Sequence, residues 1–137
     1  MRIVLDTNVL VSGLLSPFGA PAQIVRMLAT GDVVLSHDAR ILAEYREVLF
    51  RPKFSFSAES IETLLDQIVS SGLTVAATPL KTRLPDHDDE PFLEVALCGG
   101  AEALVTGNLK HYPRGKRQGA VVLLPAEFLQ RFRALEE

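Results

Sequence analysis

Ile3-Val4-Leu5-Asp6-Thr7-Asn8 decides the fold. Three consecutive β-favouring residues run into an acid, a hydroxyl and an amide, groups that prefer strand ends and helix starts. The apolar run does not alternate, so Ile3-Val4-Leu5 is predicted to be a strand buried on both faces, with Asp6 at its carboxyl end. Working outward, residues 20–30 place Ile24, Val25 and Leu28 at helical spacing, with Pro21 in the first turn and Gly31 just past the end. Val33-Val34-Leu35 predicts a second strand. Ser36 or Asp38 can cap the helix that follows, whose stripe is Ile41, Leu42, Tyr45, Val48 and Leu49 and which Pro52 stops.

The same alternation continues. Ser57 to Ser71 predicts a helix through Ile61, Leu64, Leu65 and Ile68, closed at Gly72, and Leu73 to Ala76 predicts a third strand. A polar loop from Pro79 to Glu90 leads into a helix over Phe92 to Leu97 that ends at Gly99-Gly100. Ala103 to Thr106 and Gly119 to Leu124 are the fourth and fifth strands, and Pro125 opens a last helix carrying Phe128, Leu129 and Phe132. Strands with continuous apolar runs, separated by helices, predict a three-layer α/β/α sandwich around a parallel sheet of about five strands. In such sheets the working crevice lies beyond the carboxyl ends of the strands.

Composition narrows the function. A chain of 137 residues with 47% apolar and 23% charged side chains builds one core, so a single domain over residues 1–137 is expected. Fourteen Lys and Arg against seventeen Asp and Glu give a net charge of −3, so a polyanion would have to be held locally and not by a generally basic surface. The lone Cys98 allows no internal disulfide and the N-terminus has no apolar signal segment, which points to a reducing cytoplasm. Runs such as Val121-Val122-Leu123-Leu124 fall far short of the roughly 20 apolar residues that cross a bilayer.

The acids are placed unevenly. Asp6 follows the first strand, Glu44 lies in the helix after the second, and Asp86-His87-Asp88-Asp89-Glu90 puts four carboxylates into five residues at a helix start. Each alone is explained by capping or solvation. Brought together at one sheet edge, Asp6, Glu44, Asp89 and Asp86 would form an oxygen-rich pocket for a hard dication, Mg²⁺ or Mn²⁺. Zinc fits less well, because Cys98, His37, His87 and His111 show no tetrahedral ligand spacing, and the histidines read as surface or loop residues. A dication held by carboxylates suits phosphodiester hydrolysis, with one carboxylate taking a proton from the attacking water. Thr7, Asn8, Thr106 and Asn108 can hydrogen-bond waters or the scissile phosphate; Ser12 reads as a turn residue. Cations for a phosphate backbone occur at Arg51 and Lys53 and, from Lys110 to Arg117, in a segment of four basic residues where Tyr112 is available for base stacking.

Asp6-Thr7-Asn8, Glu44-Tyr45, Asp86 to Ala96 and Val105-Thr106-Gly107-Asn108 together resemble the PIN-domain ribonucleases, over essentially the whole chain. Arg51-Pro52-Lys53-Phe54 and Thr106 to Pro113 are similar to segments of the branch related to VapC-type toxins. Each motif is short; their order and spacing are jointly specific. The resemblance implies a Rossmann-like fold, dependence on Mg²⁺ or Mn²⁺, cleavage of RNA, a homodimer, and neutralisation by a cognate antitoxin covering the acidic crevice. It implies Asp6, Glu44 and Asp89 as the core acids, with Asp86 an addition at the pocket edge. The fourth acid of many PIN domains is replaced by Asn108, with His111 where other members carry another Asp. That departure keeps a second reading open, a catalytically weak or inactive PIN module that binds RNA or a protein. A phosphatase of haloacid-dehalogenase type is disfavoured, since it needs an Asp where Asn8 stands. A receiver domain would need one among Ala76-Ala77-Thr78, and no Gly-rich nucleotide loop follows the first strand.

Overall fold

The computed structural model describes residues 1–136. Five strands, β1 (Arg2–Leu5), β2 (Val34–His37), β3 (Leu73–Thr74), β4 (Ala103–Val105) and β5 (Val122–Leu123), form one sheet in the order β3-β2-β1-β4-β5. All four pairings are parallel, with Ile3 opposite both Leu35 and Ala103, and Leu5 opposite Val105. The central strands have no solvent face: Ile3, Val4, Leu5, Leu104 and Val105 are fully buried, which explains why their sequence does not alternate.

Six helices cover the sheet: α1 (Thr7–Leu15), α2 (Ala20–Thr30), α3 (Ala39–Leu49), α4 (Ala58–Ser71), α5 (Glu90–Cys98) and α6 (Pro125–Glu136). The chain steps outward from β1 to β3, then jumps back past β1 to β4. The connection back carries α5 across β1, β2 and β4, where its Phe92 also meets Tyr45 of α3, ring centres 6.3 Å apart. The reversal falls between β1 and β4, so the switch-point crevice lies where Asp6 and Thr106 leave adjacent strands.

Several local expectations need correction. α1 is a full helix where the sequence suggested only a cap, because Val9-Leu10-Val11 is a continuous apolar run with no amphipathic period. Its Gly13 is required by packing: a Cβ there would lie 2.5 Å from Val25 Cγ2 and 2.6 Å from the Pro21 carbonyl oxygen. β2 extends to His37, so Ser36 is inside the strand and the cap of α3 is Asp38, whose carboxylate accepts the Ile41 N–H at 3.1 Å. His37 is therefore neither a surface nor a loop residue but fully buried. The third strand is only Leu73–Thr74, at the exposed sheet edge. The fifth is only Val122–Leu123, because Gln118 and Gly119 turn the chain at positive φ just before it. α5 begins at Glu90, two residues before the predicted Phe92.

Candidate metal centre

β1 delivers Asp6 to the crevice and the Asp6 N–H donates to the Val105 carbonyl at 2.9 Å, stitching the ends of β1 and β4 together. The backbone oxygen of Asp6 accepts the Val9 N–H at 3.0 Å, so the main chain begins α1 while the side chain caps nothing. That carboxylate is buried instead. Its Oδ2 accepts from Thr106 Oγ1 at 2.9 Å and from the Tyr112 hydroxyl at 3.1 Å. Burial raises the Asp6 pKa; the two hydroxyls, the Thr7 N–H and His111 pull the other way. The Thr106 hydroxyl in turn accepts the Asn108 N–H at 3.1 Å, so the turn after β4 is tied to the acid.

Glu44 approaches from α3, with Oε2 accepting from Thr7 Oγ1. Its neighbour Tyr45 points into the core and donates to the Leu5 carbonyl, anchoring α3 to the end of β1. Burial raises the Glu44 pKa, opposed by the Thr7 hydroxyl and reinforced by the negative charges of Asp6 and Asp88. Asp89 arrives through the 3₁₀ turn His87–Asp89 at the start of α5. Its carboxyl is pushed up to about 6, first by burial and then by Asp6, with His111 opposing and Asp86 and Glu44 adding. Asp6 raises both Glu44 and Asp89, and Glu44 adds to Asp89, which makes this crevice the functional-site candidate.

The other acids of the run have separate employment. Glu90 is clamped by Arg83 Nε and the Leu84 N–H, both at 2.9 Å, which holds its pKa low and fixes the preceding loop. Glu94, also buried, pairs with Arg40 at 2.7 Å and accepts the Leu80 N–H at 3.2 Å. Asp86 is exposed and caps its own turn, accepting the Asp88 N–H at 2.9 Å. With His87 and Asp88 it forms an exposed cluster whose ligand atoms lie within 4.8 Å of one another, apart from the buried acids.

Tyr112 does not offer a stacking face. It is fully buried with its hydroxyl committed to Asp6, and its own burial, followed by the Asp6 charge, raises its pKa far above normal. Sequence reasoning missed this role; its signal was an aromatic a few residues beyond a strand end that already carried a site residue. Asn8 Oδ1 accepts the Gly107 N–H at 2.9 Å, bridging the two switch-point loops, and Asn108 Oδ1 accepts the Lys110 N–H at 3.2 Å. Asn8, Ser12, Gly107, Asn108 and His111 line part of a surface cavity of about 310 Å³. Thr7 and Thr106 are buried within the site. Lys110 is exposed on the same turn as His111. Arg51 is paired with Glu47 at 2.9 Å and Lys53 sits 5.1 Å from the centre of the Phe54 ring, so both are engaged locally on the exposed segment after α3.

The sequence profile of the PIN domain matches residues 2–110. The chain belongs to the PIN-domain family. No curated protein matches it. Among solved structures, this PIN domain is similar to VapBC2 from Rickettsia felis, solved bound to a promoter DNA fragment, with 18% identity and a TM-score of 0.60 over 90% of this chain and 98% of that one. PAE2754 from Pyrobaculum aerophilum matches with 17% identity and a TM-score of 0.60, over 98% of this chain and 90% of that one. FitAcB from Neisseria gonorrhoeae matches with 18% identity and a TM-score of 0.57, over 92% and 99%. At these identities the likeness establishes the fold, and the sandwich expected from the sequence is the one observed.

PIN domains are generally nucleases that use divalent metals, and the donor chemistry of the crevice suits such an ion, although among the described residues only Asp86, His87 and Asp88 have ligand atoms all within 4.8 Å of one another. The donors are carboxylate oxygens, as a hard dication requires. Asp89 Oδ2 is buried with no hydrogen bond, and its contact is the His111 ring, whose Nδ1 lies 3.3 Å away as an ion-pair partner. No described helix is long and apolar enough to cross a membrane by itself.

Proposed function

We propose that this single PIN-like domain is a metal-dependent endoribonuclease that hydrolyses RNA phosphodiester bonds as the toxin of a toxin–antitoxin pair in the cytoplasm. The observation that carries the reading is the arrival of Asp6, Glu44 and Asp89 at one crevice, all raised in pKa, with the Asp6 charge acting on the other two. A bound Mg²⁺ or Mn²⁺ would supply positive charge to polarise a phosphoryl oxygen and acidify water. Asp6, Glu44 and Asp89 would hold it, with Asp86 at the rim. The hydroxyls of Thr106 and Tyr112 keep Asp6 aimed, and the Thr7 hydroxyl does the same for Glu44. Near neutral pH, Asp89 is poised to take the proton of an attacking water. Asn8 and Asn108 orient the phosphate beside the acids, and Lys110, Arg51 and Lys53 hold the strand by its backbone.

The partners belong to the same proposal. The chain acts as a homodimer and is silenced by an antitoxin that sets an Arg or Lys against Asp6 and Asp89. The resemblance of the motifs and the fold shared with VapBC2 and FitAcB support this. One observation favours a second reading, a PIN module that only binds RNA or protein: the place of a fourth acid is held by Asn108, whose oxygen caps its own turn. Incubating purified protein with single-stranded RNA and Mn²⁺, beside Asp6→Asn and Asp89→Asn, separates the two. Cleavage by the wild type alone establishes the nuclease. Identical behaviour of all three proteins refutes it. Co-expression with the adjacent open reading frame should relieve growth arrest and co-purify the inhibitor.

A further inference from the structure

Beside the acids lies the surface cavity of about 310 Å³, at the small end of ligand pockets, which run from about 300 to 1,000 Å³. It shares a wall with the crevice: His111 lines it and stands 3.3 Å from Asp89 as an ion-pair partner. Among the described residues that line it, His111 is the only titratable one. Pro21 and Pro125 form walls at the starts of α2 and α6, and a proline there presents C–H groups where another residue would present an N–H. Such walls suit a flat neutral ring better than an anion. The polar groups facing them are two amides. Asn8 Oδ1 accepts the Gly107 N–H at 2.9 Å and Asn108 Oδ1 accepts the Lys110 N–H at 3.2 Å, so both oxygens are committed to backbone. Each amide NH2 group is left without a partner among the described residues. A Cβ on Gly107 would lie 3.1 Å from Asn8 Oδ1, so glycine lets the first amide rest against the turn that carries the second.

We propose that this cavity is a nucleobase subsite that takes an unpaired guanine next to the scissile phosphate, with the NH2 groups of Asn8 and Asn108 donating to its O6 and N7. The inference rests on the nuclease reading and goes beyond it in naming the base. Guanine presents two neighbouring acceptors on that edge, whereas adenine presents the N6 donor beside its N7 and would set one NH2 group against another. Uracil offers one acceptor there, and cytosine a donor. Each amide nitrogen carries two hydrogens, so a base can be read without releasing the phosphate beside the acids. Single-stranded RNA splays its bases out, which opens this edge to the protein. Because backbone N–H groups already hold both amides, little ordering is needed when the base arrives.

The test uses labelled uridine oligomers carrying one central guanine, hypoxanthine, 7-deazaguanine or adenine. Their binding to the wild type is followed by fluorescence anisotropy in EDTA at low salt, and their cleavage is mapped in Mn²⁺. The guanine and hypoxanthine oligomers are expected to bind about 5- to 100-fold more tightly than the adenine oligomer, and 7-deazaguanine, which lacks N7, should lose most of that margin. Cleavage should fall beside the guanine. Asn8→Asp keeps an oxygen for the Gly107 N–H but turns the donor into an acceptor, and should erase the preference. Its added charge weakens every oligomer alike, so the ratio of affinities is what is read, and the wild-type comparison needs no variant. Equal affinity of the wild type for guanine and adenine oligomers, or an unchanged ratio in Asn8→Asp, overturns this inference. RNA cut without regard to guanine overturns it too, while leaving the nuclease standing. Oligomers neither bound nor cut overturn the nuclease reading itself.

Discussion

Asp89→Asn should stabilise the metal-free protein while removing a donor from the proposed metal site. With its pKa raised from 3.8 to about 6, the Asp89 carboxyl costs the folded chain about 3 kcal/mol at pH 8, at about 1.4 kcal/mol per pH unit. Removing the charge also forfeits a favourable interaction with the start of α5, at most about 1 kcal/mol. The net gain is about 2 kcal/mol, roughly 6–10 °C in melting temperature for a chain of this size. The sign follows from linkage. A carboxyl raised on folding makes the folded state bind the proton more tightly, so its penalty is complete above pH 6 and is relieved as pH falls towards 4. Thermal unfolding in EDTA at pH 8, 7, 6, 5 and 4 should show the advantage of Asp89→Asn shrinking through that window. With Mn²⁺ the order should reverse, because only the wild type gains from binding. An Asp89→Asn that is less stable at pH 8 without metal, or whose advantage is independent of pH, refutes the account of a strained, uncompensated acid.

Tyr112→Phe removes one of two hydroxyls from Asp6 Oδ2, so it should cost about 1–2 kcal/mol by denaturant unfolding and raise the Asp6 pKa further, visible in carboxyl NMR. His37 is fully buried, and burial lowers its pKa against the opposing pull of the Ile68 backbone and the Asp38 charge, so the unfolded chain takes up the proton first. The stability His37 allows is complete above about pH 6.5 and lost below it, and His37→Leu should flatten that part of the profile. Gly13→Ala drives a methyl into Val25 and the Pro21 carbonyl, and should destabilise by about 1–3 kcal/mol or more with α1 and α2 splayed in the crystal.

Much of this was legible in the sequence because buried parallel strands announce themselves. Ile3-Val4-Leu5 and Ala103 to Val105 are continuous apolar runs, and the Gly and Pro residues between elements punctuate them. What the sequence concealed depends on neighbours that are remote along it. Nothing local separates Asp89 from Asp88; only the turn into α5 buries one and exposes the other. Glu90 looked like part of an acidic cluster until Arg83 and Leu84 were seen to claim it. Tyr112 in a basic loop invites a stacking role, and its hydroxyl finds Asp6 only because β4 lies beside β1. His37 follows β-favouring residues like any strand end, and its burial comes from α4 and the edge strand closing over it.

The bond from Thr106 to Asp6 spans 100 positions, and the one from Tyr112 spans 106. On the ribosome, the first acid to be synthesised therefore waits for a segment made seconds later, at about 5–20 residues per second. Until β4 clears the exit tunnel and docks, Asp6 has neither of its hydroxyl donors. The surroundings of this acid are thus assembled late in synthesis, once the segment carrying Thr106 and Tyr112 has emerged and β4 has paired with β1.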